Sequence, residues 1–401
     1  MSLSLLVLSS VLSVIACAQP TRLFASHFSG HIYTLSFSSE SSSLTIISEI
    51  KAGGIWPSWL LLDPDAGTLY VTDENSWSNP ILTSLQVENN GTLSPIATVA
   101  SKNGGDVHST FYGGADGKGF IAVAQYSPSS ISTYSLPLNP FSTTLESFTF
   151  KMAIPGPVTS RQDKPHPHAV FPTLDGAFLL VCDLGADRIR IFSINSSDKN
   201  GTLEQCNDVA TSPGDGPRHA EFSAAGDALY VVNELSNTLT KYAVVFPVGE
   251  EGKTEKTCMS LVPIQTLSTL AAGKKCEGSI GMCKASEVRV RDEFIYVANR
   301  NDEAFGTGRD SISVYRDLGT AGNASMALVQ SADSGVWFPR TFVINRVGNL
   351  VAVGGQTSST VVILERNIAT GMLGGIVAEA LVGVPGTENN EDGLSAIIWD
   401  E

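Results

Sequence analysis

The sequence predicts an all-β fold, a seven-bladed β-propeller whose ring is closed by its last strand. Three observations lead there. First, a phrase recurs: Pro167-His168-Ala169-Val170-Phe171, then Asp175-Gly176, then an apolar run ending at Asp183. It returns as Pro217-Arg218-His219-Ala220 running through Gly226 to Asn233, and as Pro339-Arg340-Thr341-Phe342 running through Gly348 to Gly355. A repeat of roughly 50 residues built from strands marks a circular or stacked β-array. Second, short β-branched and aromatic runs alternate with Asp-Gly, Asn-Gly and Gly-Gly turns, and no long segment carries a 3.6-residue apolar stripe. Third, the N-terminus supplies three strands of a blade, and the C-terminus supplies one.

Taken in order, the clearest repeat is expected to hold four strands, over 168–172, 178–183, 188–194 and 202–206. First strands of the same kind begin near Pro57, His108, His168, Arg218, Ser286 and Arg340, which makes six. The N-terminal runs 22–27, 31–37 and 44–50 read as second, third and fourth strands that lack a first. Residues 394–399, after an acidic loop, supply it and bring the count to seven. Closure removes the open edges that invite aggregation. A six-bladed ring with extra strands is the alternative. Residues 19–401 are expected to form one domain, because repeats escape the usual limit on domain length.

Residues 1–18 read as a secretory signal peptide, with an apolar run from Ser2 to Ile15 followed by Ala16-Cys17-Ala18. Four N-x-S/T sequons, at Asn90, Asn195, Asn200 and Asn323, lie in turns between apolar runs, where a glycan fits. Without the leader five cysteines remain, an odd number that implies a free thiol in an extracellular chain. Cys182, inside an apolar strand, reads as that thiol. Cys276–Cys283 is the favoured bridge, closing a short Gly-rich insertion, with Cys206–Cys258 as the other. No Cys/His spacing suits zinc. The net charge of -15 disfavours nucleic acid and anionic lipid as main partners, and no segment is long and apolar enough to span a membrane. The oligomeric state is left open.

Aligning the repeats yields two rings of equivalent positions at one mouth of the central channel. The first, where the first strand begins, collects Ser58, His108, His168, Arg218, Ser286 and Arg340. The second, just past the second strand, collects Glu74, Tyr126, Leu184, Glu234, Arg300 and Gln356. A purely structural ring is free to repeat one small residue; these gather arginines, glutamates and histidines. Arginine forks bind carboxylates or phosphates, a histidine exchanges protons near neutral pH, and a glutamate orients either one. The expected ligand is a small anion containing a carbonyl group. The competing reading is a set of inter-blade ion pairs around a water-filled channel.

The motifs His166-Pro167-His168-Ala169-Val170, Gly216-Pro217-Arg218-His219-Ala220-Glu221-Phe222, Asn233-Glu234-Leu235, Ala298-Asn299-Arg300-Asn301 and Trp337-Phe338-Pro339-Arg340 resemble those of the lactonase family of seven-bladed propellers. That family includes 6-phosphogluconolactonases and fungal 3-carboxy-cis,cis-muconate lactonizing enzymes. The likeness runs across nearly the whole chain. It implies a cofactor-independent site in which His168, Arg218, Glu234 and Arg300 are catalytic. Arg340, Glu74, Gln356, His108 and Tyr126 are expected to bind substrate. The family chemistry runs either as lactone hydrolysis or as muconate cyclisation, and the residues do not choose between them. A secreted or cell-wall glycoprotein that keeps the scaffold without turnover is the alternative from another class.

Overall fold

The computed structural model describes residues 21–195, 200–246, 258–271, 276, 283–388 and 390–401, so the leader read over 1–18 lies outside the described residues. Seven antiparallel sheets form the blades. In blade 1 the order from the channel outward is Leu394–Trp399, Thr21–His27, His31–Ser38 and Ser43–Lys51. The inner strands of blades 2 to 7 are Pro57–Asp63, Asp106–Tyr112, Pro167–Pro172, Pro217–Phe222, Lys284–Arg291 and Pro339–Ile344. Each packs against the inner strands on both sides, so the seven close a ring around the channel. The chain therefore closes its ring as expected, with Phe24 opposite Ile398 and Ala25 opposite Ile397.

The second strands are buried along their length, as in Phe178–Asp183 and Ala228–Asn233. Their side chains point alternately to the two faces of the blade, and each face packs on a neighbouring blade. Seven apolar clusters result, one at each seam: Phe24 and Ile32 of blade 1 meet Leu60 and Val71 of blade 2, and Val170 and Leu179 of blade 4 meet Ala122 and Ala124 of blade 3. Cys182 is buried in the seam of blades 4 and 5 as a free thiol. Cys206 is bonded to Cys258 across that seam (Cα–Cα 5.9 Å), and Cys276 to Cys283 in the loop entering blade 6 (Cα–Cα 5.6 Å).

Strand direction alternates within a blade, so turns between third and fourth strands lie on the face opposite the turns entering the inner strands. All four sequons are on that far face: Asn90 between Ile81–Val87 and Leu93–Ala100, Asn195 and Asn200 between Arg188–Ile194 and Leu203–Gln205, and Asn323 between Ser311–Asp317 and Met326–Asp333.

At the near face the inner strands share one irregularity. Pro167 pairs with Asp183 and Ala169 with Cys182, which leaves His168 as the extra residue of a β-bulge. The same shift leaves out Ser58, Arg218 and Arg340. A bulge re-aims the side chain it frees. Where that residue is serine it stitches the ring: Ser58 Oγ donates to the Asp106 carbonyl at 2.7 Å, Ser286 Oγ to Pro339 at 2.6 Å and Ser395 Oγ to Pro57 at 2.5 Å. In blades 4, 5 and 7 the same place holds His168, Arg218 and Arg340.

Candidate active site

A cavity of about 340 Å³ opens at the near face, and His168, Glu234, Arg300, Arg340, Glu74, Tyr126 and Gln356 stand on its wall. Its centre is Glu234, at the turn leaving the second strand of blade 5. One carboxylate oxygen, Oε1, lies 2.6 Å from Arg161 Nη2; the other, Oε2, lies 2.9 Å from Arg218 Nε and 2.8 Å from Arg300 Nη2. Burial pushes the Glu234 carboxyl up, but Arg161, Arg300 and Arg218 outweigh it and hold the group well below the usual carboxylate range. Arg218 is 2% exposed and does not reach the cavity wall. Its Nη1 donates to the Ser286 carbonyl at 2.5 Å, so its bulge aims it beneath Glu234 rather than at a ligand. Arg218, expected to be catalytic, is therefore placed as an anchor for Glu234, and Arg161, Arg300 and Arg340 are the guanidiniums that face the cavity.

His168 sits edge-on to Tyr126, with ring centroids 5.8 Å apart. Burial, reinforced by Arg218, depresses its pKa well below 6.5, so the ring is a neutral base at neutral pH. On the facing wall Arg340 Nη2 donates to Glu74 Oε2 at 3.1 Å and its guanidinium stacks on Phe28. Burial and Glu391 push the Glu74 carboxyl up to about 8 in spite of Arg340. Gln356 is tied to the Asn390 carbonyl at 2.6 Å. Leu184, the apolar member of the second ring, is buried, and its carbonyl accepts from Gln162 Nε2 at 3.0 Å.

His108 is not in the cavity, contrary to the expectation from the repeat. In blade 3 Asp106 pairs with Gln125 and His108 with Ala124, so the bulged residue is Val107. That strand lacks the proline that marks its start in blades 2, 4, 5 and 7, and a slip of one residue sends the neighbouring side chain elsewhere. His108 stands one step down the channel, tilted against Trp59 with ring centroids 4.2 Å apart and with Nδ1 accepting from the Val170 N–H at 3.4 Å.

A third ring went unread in the sequence: the residue two places ahead of the bulged position in each inner strand. Its members include Trp56, His166, Gly216, Lys284 and Phe338, and the backbone records the equivalence, since Glu74, Leu184, Glu234 and Gln356 donate to the carbonyls of Trp56, His166, Gly216 and Phe338. Three members line the cavity. His166 stacks on Tyr126 at 4.1 Å and lies 2.9 Å from Asp163. Phe338, held at φ +64°, lies under Arg300 at 5.2 Å. Lys284 forms no ion pair among the described residues; burial, then Arg300, lowers its pKa to about 8. Arg161 has no counterpart in the repeat, because it rises from the long loop ahead of blade 4.

That loop lies close against the wall at Gly185, where an added Cβ would come within 2.0 Å of the Lys164 carbonyl oxygen and 2.6 Å of the His166 ring. Gly185→Ala should therefore displace His166 and lower stability by about 1–3 kcal/mol, an overpacking cost. Denaturant unfolding checks this, and an unchanged midpoint would contradict the close approach.

Among the described residues no group of three His, Cys, Asp or Glu side chains is arranged to hold a metal ion. The fold and site thus combine a seven-bladed propeller with an arginine-bound glutamate, a neutral histidine and a lysine without an ion pair among the described residues, all around one cavity at the channel mouth. The chain belongs to the lactonase family: the family model described as "Lactonase, 7-bladed beta-propeller" matches residues 18–387. A protein of Arthroderma benhamiae named "Probable 6-phosphogluconolactonase" is 31% identical over 346 residues, covering 85% of this chain and 81% of the relative. A 6-phosphogluconolactonase of Formosa agariphila is 26% identical, covering 88% of this chain and 92% of its own. Among solved structures, the periplasmic gluconolactonase of Pseudomonas aeruginosa superposes with a TM-score of 0.75 over 95% of this chain and 99% of its own, at 23% identity. That likeness speaks for the fold.

Proposed function

We propose that this chain hydrolyses the lactone of an anionic sugar acid in the near-face cavity. One observation carries the reading: a neutral imidazole, three cavity-facing guanidiniums, an ammonium with no ion pair among the described residues and a protonated carboxyl converge on a single pocket of about 340 Å³. His168 Nε2 takes a proton from water as the hydroxide oxygen bonds to the lactone carbonyl carbon. The carbonyl oxygen becomes an oxyanion, which Arg300 and Arg161 stabilise. Collapse breaks the ring C–O bond, and the departing oxygen takes a proton from Glu74 or from the imidazolium. The products are a carboxylate and an alcohol. Lys284 and Arg340, both on the cavity wall, supply charge for a phosphate or carboxylate elsewhere on the substrate.

The relatives named 6-phosphogluconolactonase support this choice over muconate cyclisation. An extracellular setting is part of the proposal. It is supported by the leader-like residues 1–18, by two disulfides, and by four sequons on the face away from the cavity, where glycans leave the mouth clear.

The test assays 6-phosphogluconolactone, gluconolactone and 3-carboxymuconate with wild type and His168→Ala. Hydrolysis of a lactone is expected, with kcat falling at least about 10²-fold in the variant. The pH profile should stay flat from mildly acidic pH, where His168 is still neutral, and decline as Glu74 loses its proton near 8. Turnover that survives in His168→Ala removes the assignment of the base. Conversion of carboxymuconate alone points to the cyclase, and no turnover at all points to the non-catalytic glycoprotein.

A further inference from the structure

Just below the cavity the channel holds a layer of side chains that the hydrolysis leaves unused: Trp59, His108, His219 and Glu287, one from each of four blades. Each occupies the position after the bulge. His219 Nδ1 lies 3.0 Å from Glu287 Oε1, which also accepts from Arg289 Nη1 at 2.9 Å. Burial raises the Glu287 carboxyl, but Arg289 and His219 overcome that and hold it at about 2. An ionised carboxylate only accepts, so His219 donates from Nδ1–H. Its ring is neutral near pH 7, with burial lowering its pKa to about 4, and Nε2 therefore carries a lone pair.

That Nε2 is buried and meets no hydrogen-bond partner, and neither does Nδ1 of His168. The two rings are neighbours, 5.2 Å apart between centroids and edge to face. His108, the other imidazole against His219, has its Nδ1 committed to the Val170 N–H. Buried polar groups are normally paired, directly or through an ordered water. An acceptor and a ring nitrogen on adjacent imidazoles complete each other if His168 carries its proton on Nδ1.

We propose that His219, held by Glu287, is a positioning residue for His168. Its Nε2 accepts the His168 Nδ1–H hydrogen bond through one bridging water, which turns the lone pair of His168 Nε2 toward the cavity. The proposal rests on the reading of His168 as the base. When His168 takes the proton from water, its Nδ1–H becomes a stronger donor, and the charge it gains faces the His219–Glu287 pair. The other charged groups around these two rings are Arg218, Arg340 and Glu234 beside His168, and Arg218 and Arg289 beside His219.

The experiment compares His219→Leu, His219→Gln and Glu287→Gln with wild type and His168→Ala, using the lactone that wild type hydrolyses. His219→Leu should lower kcat roughly 10–100-fold with little change in KM, the usual effect of losing a partner that orients a ligating or reacting imidazole. His219→Gln retains an acceptor oxygen and should recover most of the loss. The acid limb of the pH profile should move in His219→Leu and stay in His219→Gln. Nitrogen NMR of the folded wild type should find His168 as the Nδ1–H tautomer. An Nε2–H tautomer there, or wild-type kcat and pH profile in His219→Leu while His168→Ala is inactive, overturns the proposal. Activity in His168→Ala overturns the reading of the base instead. The wild-type tautomer decides the question should a variant fail to fold.

Discussion

Glu234→Gln is expected to cost about 3–5 kcal/mol of folding stability, as breaking a buried ion pair from one side does. The carboxylate is 1% exposed and is shared by Arg161, Arg218 and Arg300. A neutral amide leaves three guanidiniums facing one another, and Arg218, fully inside, keeps only the Ser286 carbonyl. The effect has a pH signature. The folded-state pKa of Glu234 lies below its ordinary 4.5, so its contribution is fully present above 4.5 and fades as pH falls through the lower folded value. Wild type and variant should therefore differ most near neutrality and converge in acid. Thermal melts from pH 7 downward check this, and a constant difference would contradict the charge argument. Turnover should fall roughly 10²–10³-fold as well, because Arg300 loses the group that aims it at the oxyanion.

Removing residues 394–401 is expected to unfold the domain. Leu394, Ala396, Ile397 and Trp399 are all at most 4% exposed, packed between blades 1 and 7 and against blade 2. Burying a large apolar side chain contributes about 1.5–3 kcal/mol, so three large side chains contribute roughly 4–9 kcal/mol as an upper figure. That rivals the whole net stability of about 5–15 kcal/mol for a typical domain. The strand also supplies Ser395 to the serine stitching at Pro57 and Asp400 to Arg22, 2.6 Å away. Its loss would leave Thr21–His27 as an open edge and expose the channel wall. Circular dichroism and limited proteolysis report the outcome; a truncated chain with an unchanged melting temperature would rule out closure by this strand.

Much of the site was legible because a propeller turns a linear repeat into a ring. The bulged position in blades 4, 5 and 7 follows a proline, so His168, Arg218 and Arg340 align by eye and stand out against serines elsewhere. Blade 3 lacks that proline, and His108 slipped by one residue into the channel layer. His166, Lys284 and Phe338 occupy a ring of their own, but their identities vary so widely that the equivalence shows only through the backbone bonds that join the turns. Arg161 left no trace, because the loop that carries it has no counterpart in other blades.

What the sequence determined by itself was the number of blades, the strand that closes them and the face on which the polar residues gather. Those follow from period, alternation and turn residues, which are local properties of a chain. The tertiary structure alone decided that Arg218 lies beneath Glu234 and off the cavity wall, that Lys284 forms no ion pair among the described residues, and that the His219 ring lies against His168. Each of these depends on where a side chain ends after a bulge has rotated it and a neighbouring blade has closed over it. Distances between blades, unlike the order of strands within them, are set by the packing of seven seams at once.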